Sequence, residues 1–478
     1  AAAAAGAPIG ASFERDGVAV AGTEFVLGGA PFRFVGFNQY NMMEKARHAD
    51  SRHMVDEVLE KAASLGLTVM RTWAFDDREG GLQVAPGVFD EDAFRALDYV
   101  VDKAGREGVR LLLCLTNYWS DYGGMESYVK WAHGANSLRG LSVSDFYSDP
   151  RCREMFRFFV RAVLTRRNTV NGRVYAEDPA IMAWDLANEA RNPGGAQGVR
   201  LNEWIGEMSA FVKELAPRQL VTTGLEGFYG PSTVGLMRWD NPGPNWAQYV
   251  CEGTDFISNH AHAFVDFTVA HVYPQQWLPE PCASDDYCKR LFATRWTDSH
   301  IEASAALGKP FVLEEFGHPT PTSEGDDVRE DYFEAIYQEM LTSARSASAA
   351  AGSLFWIFSS VDYPDYDGYS IYAGQEGSPA PPPSAPPAGA EESRQLKRDF
   401  RNRAKHEACE KALQDAEMGG TVPSEFDLGL TRANVHTTGV DLVEAGTSHS
   451  GVLEVIASAS AQIRTLGLAP VTTQSEGP

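Results

Sequence analysis

Eight short apolar runs, each of a length suited to a buried β-strand, limit most strongly what this chain can fold into. Between most of them lie stretches with helical apolar spacing, such as MVDEVLEKAASLG and LNEWIGEMSAFVKELAP. A repeated strand–helix unit is typical of parallel sheets, and eight units predict an α/β fold of the (β/α)8 TIM barrel type. The predicted strands span residues 32–40, 68–75, 110–119, 181–189, 220–227, 267–274, 310–317 and 352–358.

The two ends of the chain depart from this alternation. Residues 13–31 read as a short N-terminal β-hairpin with Gly-rich turns, which we expect to plug the bottom of the barrel. After Tyr372 the chain becomes Pro-rich, and a charged helical segment follows from about Glu391 to Glu417. Neither part resembles a barrel core.

A last helix is predicted where apolar residues recur at helical spacing, and it is expected to return beside the first strand. These residues are Val452, Val455, Ile456, Ala459, Ile463 and Leu466. We therefore predict one barrel domain and an insertion before its last helix. The barrel comprises residues 8–372 plus 446–470, and the insertion comprises residues 373–445.

Composition excludes several functional classes. The net charge of −24 disfavours nucleic acid as a partner, because phosphate binding relies on clustered Lys and Arg. No apolar run approaches the length needed to span a bilayer. This acidic balance fits an uncharged substrate better than a polyanion, and the hydrophobic content of 44% is ample for a large core.

Six cysteines permit disulfides without requiring them. Cys282 and Cys288 flank the short polar loop PCASDDYC, which favours a local disulfide, whereas Cys114 lies in the apolar run LLLCL and is expected to be a buried thiol. A structural zinc site is disfavoured because no C-x-x-C pair exists. A disulfide would indicate an oxidising compartment.

Polar or aromatic residues follow each predicted strand at its carboxyl end. In a (β/α)8 barrel these ends meet on one face, where active sites form. The residues are Asn38, Tyr40, Arg71, Trp73, Asn117, Trp119, Asn188, Glu189, Glu226, His271, Tyr273, Glu315 and Trp356.

Two carboxylates at this rim suggest glycoside hydrolysis. Glu189 closes the run IMAWDLANE and Glu315 lies in KPFVLEEFG. Retaining glycosidases need one carboxylic acid and one nucleophilic carboxylate about 5 Å apart, and this pair can meet that requirement. A Glu at a strand end is more often a solvated loop charge, so the surroundings decide. Glu314 competes for the nucleophile role, but adjacent side chains of a strand point to opposite sides.

Other rim residues could support such a pair. Arg71 could hold the nucleophile ionised, although an arginine is commonly part of a surface ion pair. Asn188 could donate to a sugar 2-hydroxyl. Tyr273 and His271 lie two residues apart and face the same way, so they could orient the nucleophile and tune the acid, although His271 alone would read as a core histidine.

Flat aromatic rings could bind the sugar chain at this rim. Trp119, Trp277 and Trp356 offer apolar faces for sugar C–H groups, and core packing is the alternative for each. A metal site formed by His260, His262 and His271 is disfavoured, because no matching carboxylate or cysteine pattern accompanies them.

The ordered motifs GFNQY, MRTW, LTNYWSDYGG, YVKW, WDLANEAR, GLEGFYG, GTDFIS, AHVYPQQW, VLEEFG and DYDGYSIY resemble plant-type and fungal endo-β-1,4-mannanases of glycoside hydrolase family 5. The resemblance covers about residues 13–372 and, more weakly, 446–467. It implies Glu189 as the acid/base and Glu315 as the nucleophile. It implies an active-site frame of Arg71, Asn188, His271, Tyr273 and Trp356.

The same resemblance implies a secreted enzyme without a cofactor, acting on mannan, glucomannan or galactomannan, and we further expect a monomer. Two features depart from the family pattern: the insertion after Tyr372, and the FWIF run with its following SSVDYPDYDGY. Three alternatives remain at this stage. They are a family 5 endo-β-1,4-glucanase, an exo-acting β-glycosidase and a barrel that binds polysaccharide without cleaving it.

Overall fold

Eight parallel strands form the central sheet of the computed structural model, which describes residues 16–134, 141–193, 198–243, 246–319, 327–346, 348–365, 367–374, 409 and 451–466. The strands in chain order are β1 (Val18–Ala21), β2 (Glu24–Leu27), β3 (Ala30–Phe32), β4 (Phe34–Asn38), β5 (Val69–Trp73), β6 (Gln83–Ala85), β7 (Val88–Phe89), β8 (Arg110–Cys114), β9 (Ile181–Asp185), β10 (Leu220–Thr222), β11 (Thr268–Val272), β12 (Phe311–Phe316), β13 (Ala350–Phe355), β14 (Phe358–Ser359) and β15 (Ile371–Tyr372).

The order of strands in the large sheet is β10-β9-β8-β5-β4-β13-β12-β11, with every pairing parallel. Hydrogen bonds also join the two outermost strands. The amide of Asp266 donates to the carbonyl of Val221 at 2.8 Å, and the hydroxyl of Thr222 donates to the carbonyl of Phe267 at 3.1 Å. The sheet therefore curls into a nearly closed barrel, and the predicted (β/α)8 fold is confirmed.

Helices connect the barrel strands, as the apolar spacing predicts. A typical example begins after Asp90, whose carboxylate caps the amides of Asp92 and Ala93, and ends at Gly108, which has a φ of 74°. The helices are α1 (Met42–Arg47), α2 (Arg52–Leu65), α3 (Glu91–Glu107), α4 (Gly124–His133), α5 (Asp145–Ser148), α6 (Pro150–Leu164), α7 (Val199–Leu215), α8 (Val234–Trp239), α9 (Trp246–Val250), α10 (Phe256–His260), α11 (Pro274–Trp277), α12 (Asp286–Leu307), α13 (Asp327–Arg345) and α14 (Val452–Leu466).

A small antiparallel sheet lies across the end of the barrel at which the strands begin. It has three strands, β1 to β3, rather than the two of the predicted hairpin, because the chain turns back once more before β4. The ring of Phe25 lies 6.0 Å from that of Phe34 and 5.3 Å from that of Phe267, close to the starts of β4 and β11. This sheet fills the bottom of the barrel with apolar side chains. Residues 13–15 of the predicted hairpin lie outside the described residues.

The last helix, α14, packs against β4 and α13, as expected for a helix that returns beside the first strand. The hydroxyl of Ser460 donates to the carbonyl of Gly66 at 2.8 Å and fixes the helix against the end of α2. Residues 8–15, 446–450 and 467–470 at the ends of the two predicted barrel segments lie outside the described residues.

Two disulfides tie loops of the described chain together. The predicted Cys282–Cys288 bond is present, and Cys114 is a buried free thiol, as is Cys152. A second bond, which the sequence analysis did not predict, joins Cys251 to Cys409. Cys409 belongs to the predicted charged helical segment, which otherwise lies outside the described residues, as do residues 375–408 and 410–445 of the predicted insertion. Within the described ranges, no helix is long and apolar enough to cross a membrane.

Candidate active site

The carboxyl ends of the barrel strands gather the predicted rim residues on one face. Asn38, Arg71, Trp73, His271 and Glu315 lie within strands, while the others lie beyond strand ends. The latter are Asn117, Trp119, Asn188, Glu189, Glu226, Tyr273, Trp277 and Trp356. Hydrogen bonds and ion pairs between side chains connect the central members of this set.

Glu189 and Glu315 face one another across the rim. A carboxylate oxygen of each, together with a ring nitrogen of His271, lies within 4.8 Å of the others. Glu315 is only 4% exposed. The backbone of Glu189 has a φ of 47°, a left-handed conformation that L residues rarely adopt, so the surrounding structure holds this residue in place at some energetic cost.

Arg71 lies beneath the pair and contacts both sides of it. The guanidinium is 1% exposed, so it is not part of a surface ion pair. It donates to Glu315, to the Asn188 side-chain oxygen at 2.8 Å, and to Asp185 Oδ2 at 3.0 and 2.7 Å. Arg71 therefore positions both Glu315 and the side-chain amide of Asn188, the residue that precedes Glu189.

Tyr273 and His271 each contact a carboxylate of the pair. The hydroxyl of Tyr273 donates to Glu315 Oε2 at 2.8 Å. His271 Nδ1 lies 2.9 Å from Glu189 Oε1, and Nε2 lies 3.2 Å from Glu314 Oε2. The ring is fully buried and bridges two carboxylates, which a satisfied core histidine does not do.

Electrostatic interactions shift the pKa values of these groups in opposite directions. Burial raises the pKa of Glu189, but the hydrogen bond and charge of His271, with Arg191 and Trp119, outweigh it and lower the pKa to about 2. Burial lowers the pKa of His271, but the charge of Glu315 and the bonds to Glu189 and Glu314 raise it to about 10. In the free protein Glu189 is therefore a carboxylate and His271 an imidazolium.

Glu314 does not turn away from the barrel, contrary to the expectation from strand alternation. It is fully buried, contacts His271, and its carboxylate lies 3.7 Å from Arg71. The register of β12 shifts against both neighbouring strands, between Ala270 and His271 on one side and between Leu313 and Phe316 on the other. Such a bulge re-aims side chains, so both consecutive carboxylates lie inside the barrel, Glu314 below and Glu315 at the rim.

A chain of hydrogen bonds joins Asn117, Asn188 and Trp119 to Glu189. The oxygen of Asn117 accepts from the Asn188 amide at 3.1 Å and from the backbone of Trp119 at 3.1 Å. The indole of Trp119 donates to Glu189 Oε2 at 2.5 Å. Asn117 is thus a support for its neighbours rather than an exposed contact for a ligand.

The predicted tryptophans divide into two groups. Trp356 and Trp119 remain partly exposed, and Trp356 stacks on Tyr40 with ring planes 7° apart. Trp73 and Trp277 are buried by other rings, as core packing would require. Only the first group offers a face to a ligand.

The donor set at the rim fits proton transfer rather than metal binding. Glu189, His271 and Glu315 are near enough to share an ion, but their oxygens accept from Arg71, Tyr273 and Trp119, which occupy the lone pairs a cation would need. The histidine trio considered from the sequence does not assemble: His260 contacts Thr223 and the carbonyl of Phe256, and His262 contacts Asn202.

A family model described as GH family 5 beta-mannosidase-like matches residues 15–383. The chain belongs to this glycoside hydrolase family. A mannan endo-1,4-beta-mannosidase 5 of Solanum lycopersicum is 39% identical over 76% of this chain and 86% of its own length. A protein of the same name from Arabidopsis thaliana is 40% identical over 70% of this chain and 77% of its own.

Solved structures give the same family placement for the fold. The hyperthermostable endo-1,4-beta-D-mannanase of Thermotoga petrophila has a TM-score of 0.63 and 31% identity, covering 77% of this chain and all of its own, 100%. The endo-1,4-beta-mannanase of Rhizomucor miehei has a TM-score of 0.61 and 26% identity, covering 75% of this chain and 95% of its own. The family 5 assignment made from motifs is therefore confirmed.

The family 5 enzyme has one rim residue that the sequence analysis did not single out. Arg191 donates to Glu226 at 2.6 and 2.5 Å, and pairs with Glu252 at 2.8 Å. Its guanidinium lies 5.0 Å from the ring centre of Trp119. Arg191 lies two residues beyond Glu189 in the same NEAR motif, and this closeness to the predicted acid could have identified it as a rim residue. Glu226, predicted to contact substrate, is held by this arginine.

Proposed function

We propose that this family 5 enzyme is a retaining endo-β-1,4-mannanase that hydrolyses internal bonds of mannan, glucomannan or galactomannan. The separation of its two rim carboxylates carries the proposal. Oxygens of Glu189 and Glu315 lie within 4.8 Å of each other. Retaining enzymes need a separation of about 5 Å, whereas inverting enzymes need roughly 6.5–9.5 Å to admit a water. The activity for which the Solanum lycopersicum and Arabidopsis thaliana relatives are named supports mannan as the polymer.

In the first step, Glu315 attacks the anomeric carbon while Glu189 protonates the departing oxygen. A glycosyl ester of Glu315 forms, and the shortened chain leaves as an alcohol. Arg71 and Tyr273 both donate to Glu315 and favour its ionised form. These contacts oppose the burial that raises the pKa of Glu315.

In the second step, water replaces the departed chain. Glu189, now ionised, removes a proton from that water, which attacks the same anomeric carbon and releases Glu315. Two inversions give net retention. The hydrogen bonds to Glu189 from Trp119 and His271 fix its position for both steps.

The preference for mannose follows from its axial 2-hydroxyl. Asn188 is held by Arg71 and Asn117, so its amide cannot move freely to meet a differently placed hydroxyl. An unpaired polar group in a dry site costs roughly 1–3 kcal/mol, which corresponds to about a 5- to 150-fold preference. Trp356 supplies the apolar face on which the sugar at the cleavage point stacks.

We also propose a secreted, monomeric enzyme that needs no cofactor. The two disulfides, Cys251–Cys409 and Cys282–Cys288, favour an oxidising compartment. The only macromolecular partner in this proposal is the β-mannan chain itself, with mannooligosaccharides as shorter substrates. We treat residues 373–445 as an insertion outside the catalytic machinery.

Parallel digestion of carob galactomannan, ivory-nut mannan and carboxymethylcellulose tests the proposal. We expect mannobiose- and mannotriose-sized products from the mannans and almost none from carboxymethylcellulose, with a Glu189→Ala variant as the inactive control. Proton NMR of the first product should show the β-anomer. Comparable rates on carboxymethylcellulose would favour the glucanase alternative, and release of mannose alone would favour an exo-acting enzyme.

A further inference from the structure

We propose that Glu314, His271 and Glu189 form a proton relay, in which the buried carboxylate of Glu314 holds one proton on Nε2 of His271, so that Nδ1 can exchange a proton with Glu189. The inference rests on the proposed function and assigns a role to a carboxylate that the mechanism above does not use. In this relay Glu314 is a positioning residue, because it acts on the reaction only through His271.

The geometry places the imidazole between two carboxylates. Nδ1 lies 2.9 Å from Glu189 Oε1 and Nε2 lies 3.2 Å from Glu314 Oε2. The carbonyl of His271 accepts from the indole of Trp296 at 2.8 Å, which fixes the backbone of this residue. Both ring nitrogens thus have a carboxylate within hydrogen-bonding distance, one at the rim and one fully buried.

Glu314 has few other partners. Its Oε1 lacks a hydrogen-bond partner among the described residues, and its contact with Arg71, at 3.7 Å, is longer than a hydrogen bond. Arg71 instead donates to Asp185, Asn188 and Glu315. The side chain of Glu314 is therefore positioned chiefly toward His271.

Titratable groups on strands across the barrel also face the relay. From β5 comes Arg71, from β9 Asp185, and from the buried side of β8 the thiol of Cys114, all of which interact electrostatically with Glu314. Glu315 flanks the ring on the rim side, with its Oε2 3.6 Å from Nδ1. Arg191, beyond the strand ends, acts on Glu189. Tyr273 faces Glu315 and stays protonated, because burial raises its pKa well above the usual range.

In the free enzyme the proton between His271 and Glu189 lies on the imidazole ring of His271. The carboxylates that raise the pKa of His271 to about 10 also leave Glu189 ionised, with a pKa of about 2. Glu189 must nevertheless deliver a proton to the leaving oxygen. The nearest proton that it can take is the one on His271 Nδ1.

The proton balance closes over one turnover. As Glu315 forms its ester bond to the sugar it loses its negative charge, which is the strongest influence raising the pKa of His271. The Nδ1 proton then passes to Glu189, and the proton of Glu189 passes to the departing oxygen, so the ring becomes neutral. When water attacks, its proton returns through Glu189 to Nδ1, the ester bond breaks, and Glu315 regains its charge.

Glu314 determines the tautomer of the neutral ring. A carboxylate at Nε2 favours retention of the proton on that nitrogen, so Nδ1 is the site left empty and able to accept a proton back from Glu189. Without this carboxylate the remaining proton could settle on either nitrogen. This is the same role that a buried carboxylate has in orienting a catalytic histidine in serine proteases.

A Glu314→Gln variant tests the relay through its pH profile. We expect the basic limb of kcat/KM on mannohexaose to move down by about one pH unit, because the ring loses a neighbouring negative charge. The rate at the optimum should fall on the order of 10²-fold. On 2,4-dinitrophenyl β-mannobioside, whose leaving group departs without a proton, kcat/KM should fall less than about threefold.

Ser353→Ala is the matched control, since Ser353 is buried on the adjacent strand β13 and its hydroxyl has no hydrogen-bond partner within the described residues. It should leave the basic limb unmoved. An unmoved basic limb in Glu314→Gln, or an equal loss on both substrates, would show that Glu314 is only structural.

Nitrogen NMR of the wild-type enzyme, labelled in its histidine rings, tests the relay independently of folding in the variant. The His271 signals are identified by their loss in His271→Gln. We expect both ring nitrogens to carry a proton from about pH 5 to about pH 8. A neutral ring at pH 6 would overturn the relay. This measurement needs no substrate, so it tests the relay even if the enzyme does not hydrolyse mannan. Failure to hydrolyse mannan would refute only the proposed function.

Discussion

Arg191 and Glu226 form a two-point ion pair at the rim, with the guanidinium nitrogens 2.6 and 2.5 Å from the carboxylate oxygens. The same arginine pairs with Glu252 and lies over the ring of Trp119. Because Trp119 donates to Glu189, this cluster extends from the proposed acid to the loop that carries Cys251. It therefore supports the site on the side of the proposed acid.

Glu226 should make stability depend on pH. Burial raises its pKa from 4.5 to about 7, against the opposing charge of Arg191. Between these values the folded protein holds a proton that the unfolded chain has released, so stability falls as pH rises through this window. We expect this group to contribute a fall of roughly 3 kcal/mol in the free energy of unfolding. Urea denaturation across the window should show that component in wild type and not in Glu226→Gln. Identical pH slopes in the two proteins would refute this prediction.

Arg71→Lys should lose most activity although it keeps the charge. An ammonium group cannot reproduce the planar set of donors that contacts Asp185, Asn188 and Glu315 together. We expect kcat on mannan to fall on the order of 10²–10³-fold and the melting temperature to drop, measured by reducing-sugar release and calorimetry. Arg78→Lys, at a half-exposed arginine paired with Asp76, is the control and should change kcat little. Equal effects of the two substitutions would contradict a special role for Arg71.

Glu315→Ala should abolish turnover, and azide should restore it with a changed product. A small anion can occupy the cavity left by the carboxylate and attack the anomeric carbon once, giving an α-mannosyl azide of inverted configuration. The product is identified by proton NMR. Glu203→Ala, at an exposed position on α7, should behave as wild type. Turnover that survives in Glu315→Ala but is lost in Glu314→Ala would exchange the roles proposed for these neighbours.

The two disulfides should differ in their contribution to stability. Cys251–Cys409 closes a separation of 158 residues and Cys282–Cys288 one of 6. Chain entropy alone predicts about 5 and about 2 kcal/mol for such loops. We expect Cys409→Ser to lower the midpoint of urea unfolding more than Cys288→Ser does. The opposite order would show that the long bridge stabilises little beyond what the barrel already provides.

Removal of the insertion should preserve catalysis. A variant that joins Gly374 to Gly446 through a short linker, with Cys251→Ser to remove the unpaired thiol, should keep kcat on mannan within about threefold, because the Pro-rich and charged segment offers little apolar surface to bury. Its melting temperature should match that of full-length Cys251→Ser. An inactive but folded deletion variant would show that residues 375–445 shape the cleft.

The barrel and most of its rim could be predicted from the sequence because their signals are local. Each strand is a short apolar run with polar residues at its carboxyl end, such as Arg71 within β5, and Glu189 and Tyr273 just beyond β9 and β11. The predicted strands generally extended past the observed ends, since Asn117 makes only an isolated bridge with Asn188 and Glu226 lies four residues beyond the end of β10.

The remaining features depend on contacts that no local pattern encodes. Alternation predicts that Glu314 and Glu315 point to opposite sides of β12, and the register shift of this strand brings both inside the barrel. Arg191 is held at the rim by its ion pair with Glu252, which is distant from it in the sequence. The pairing of Cys251 with Cys409 could not be deduced, because six cysteines allow many connectivities.

The left-handed backbone of Glu189, with its φ of 47°, affects which substitutions we expect at this position during evolution. A residue with a Cβ in that conformation costs about 1 kcal/mol relative to glycine, so the replacement that relaxes the backbone here also removes the proposed acid. The contacts of Glu189 with His271 and Trp119 offset this strain. In a lineage that no longer needs the reaction, we therefore expect His271 or Trp119 to be lost first and Glu189→Gly to follow, with the rest of the barrel intact.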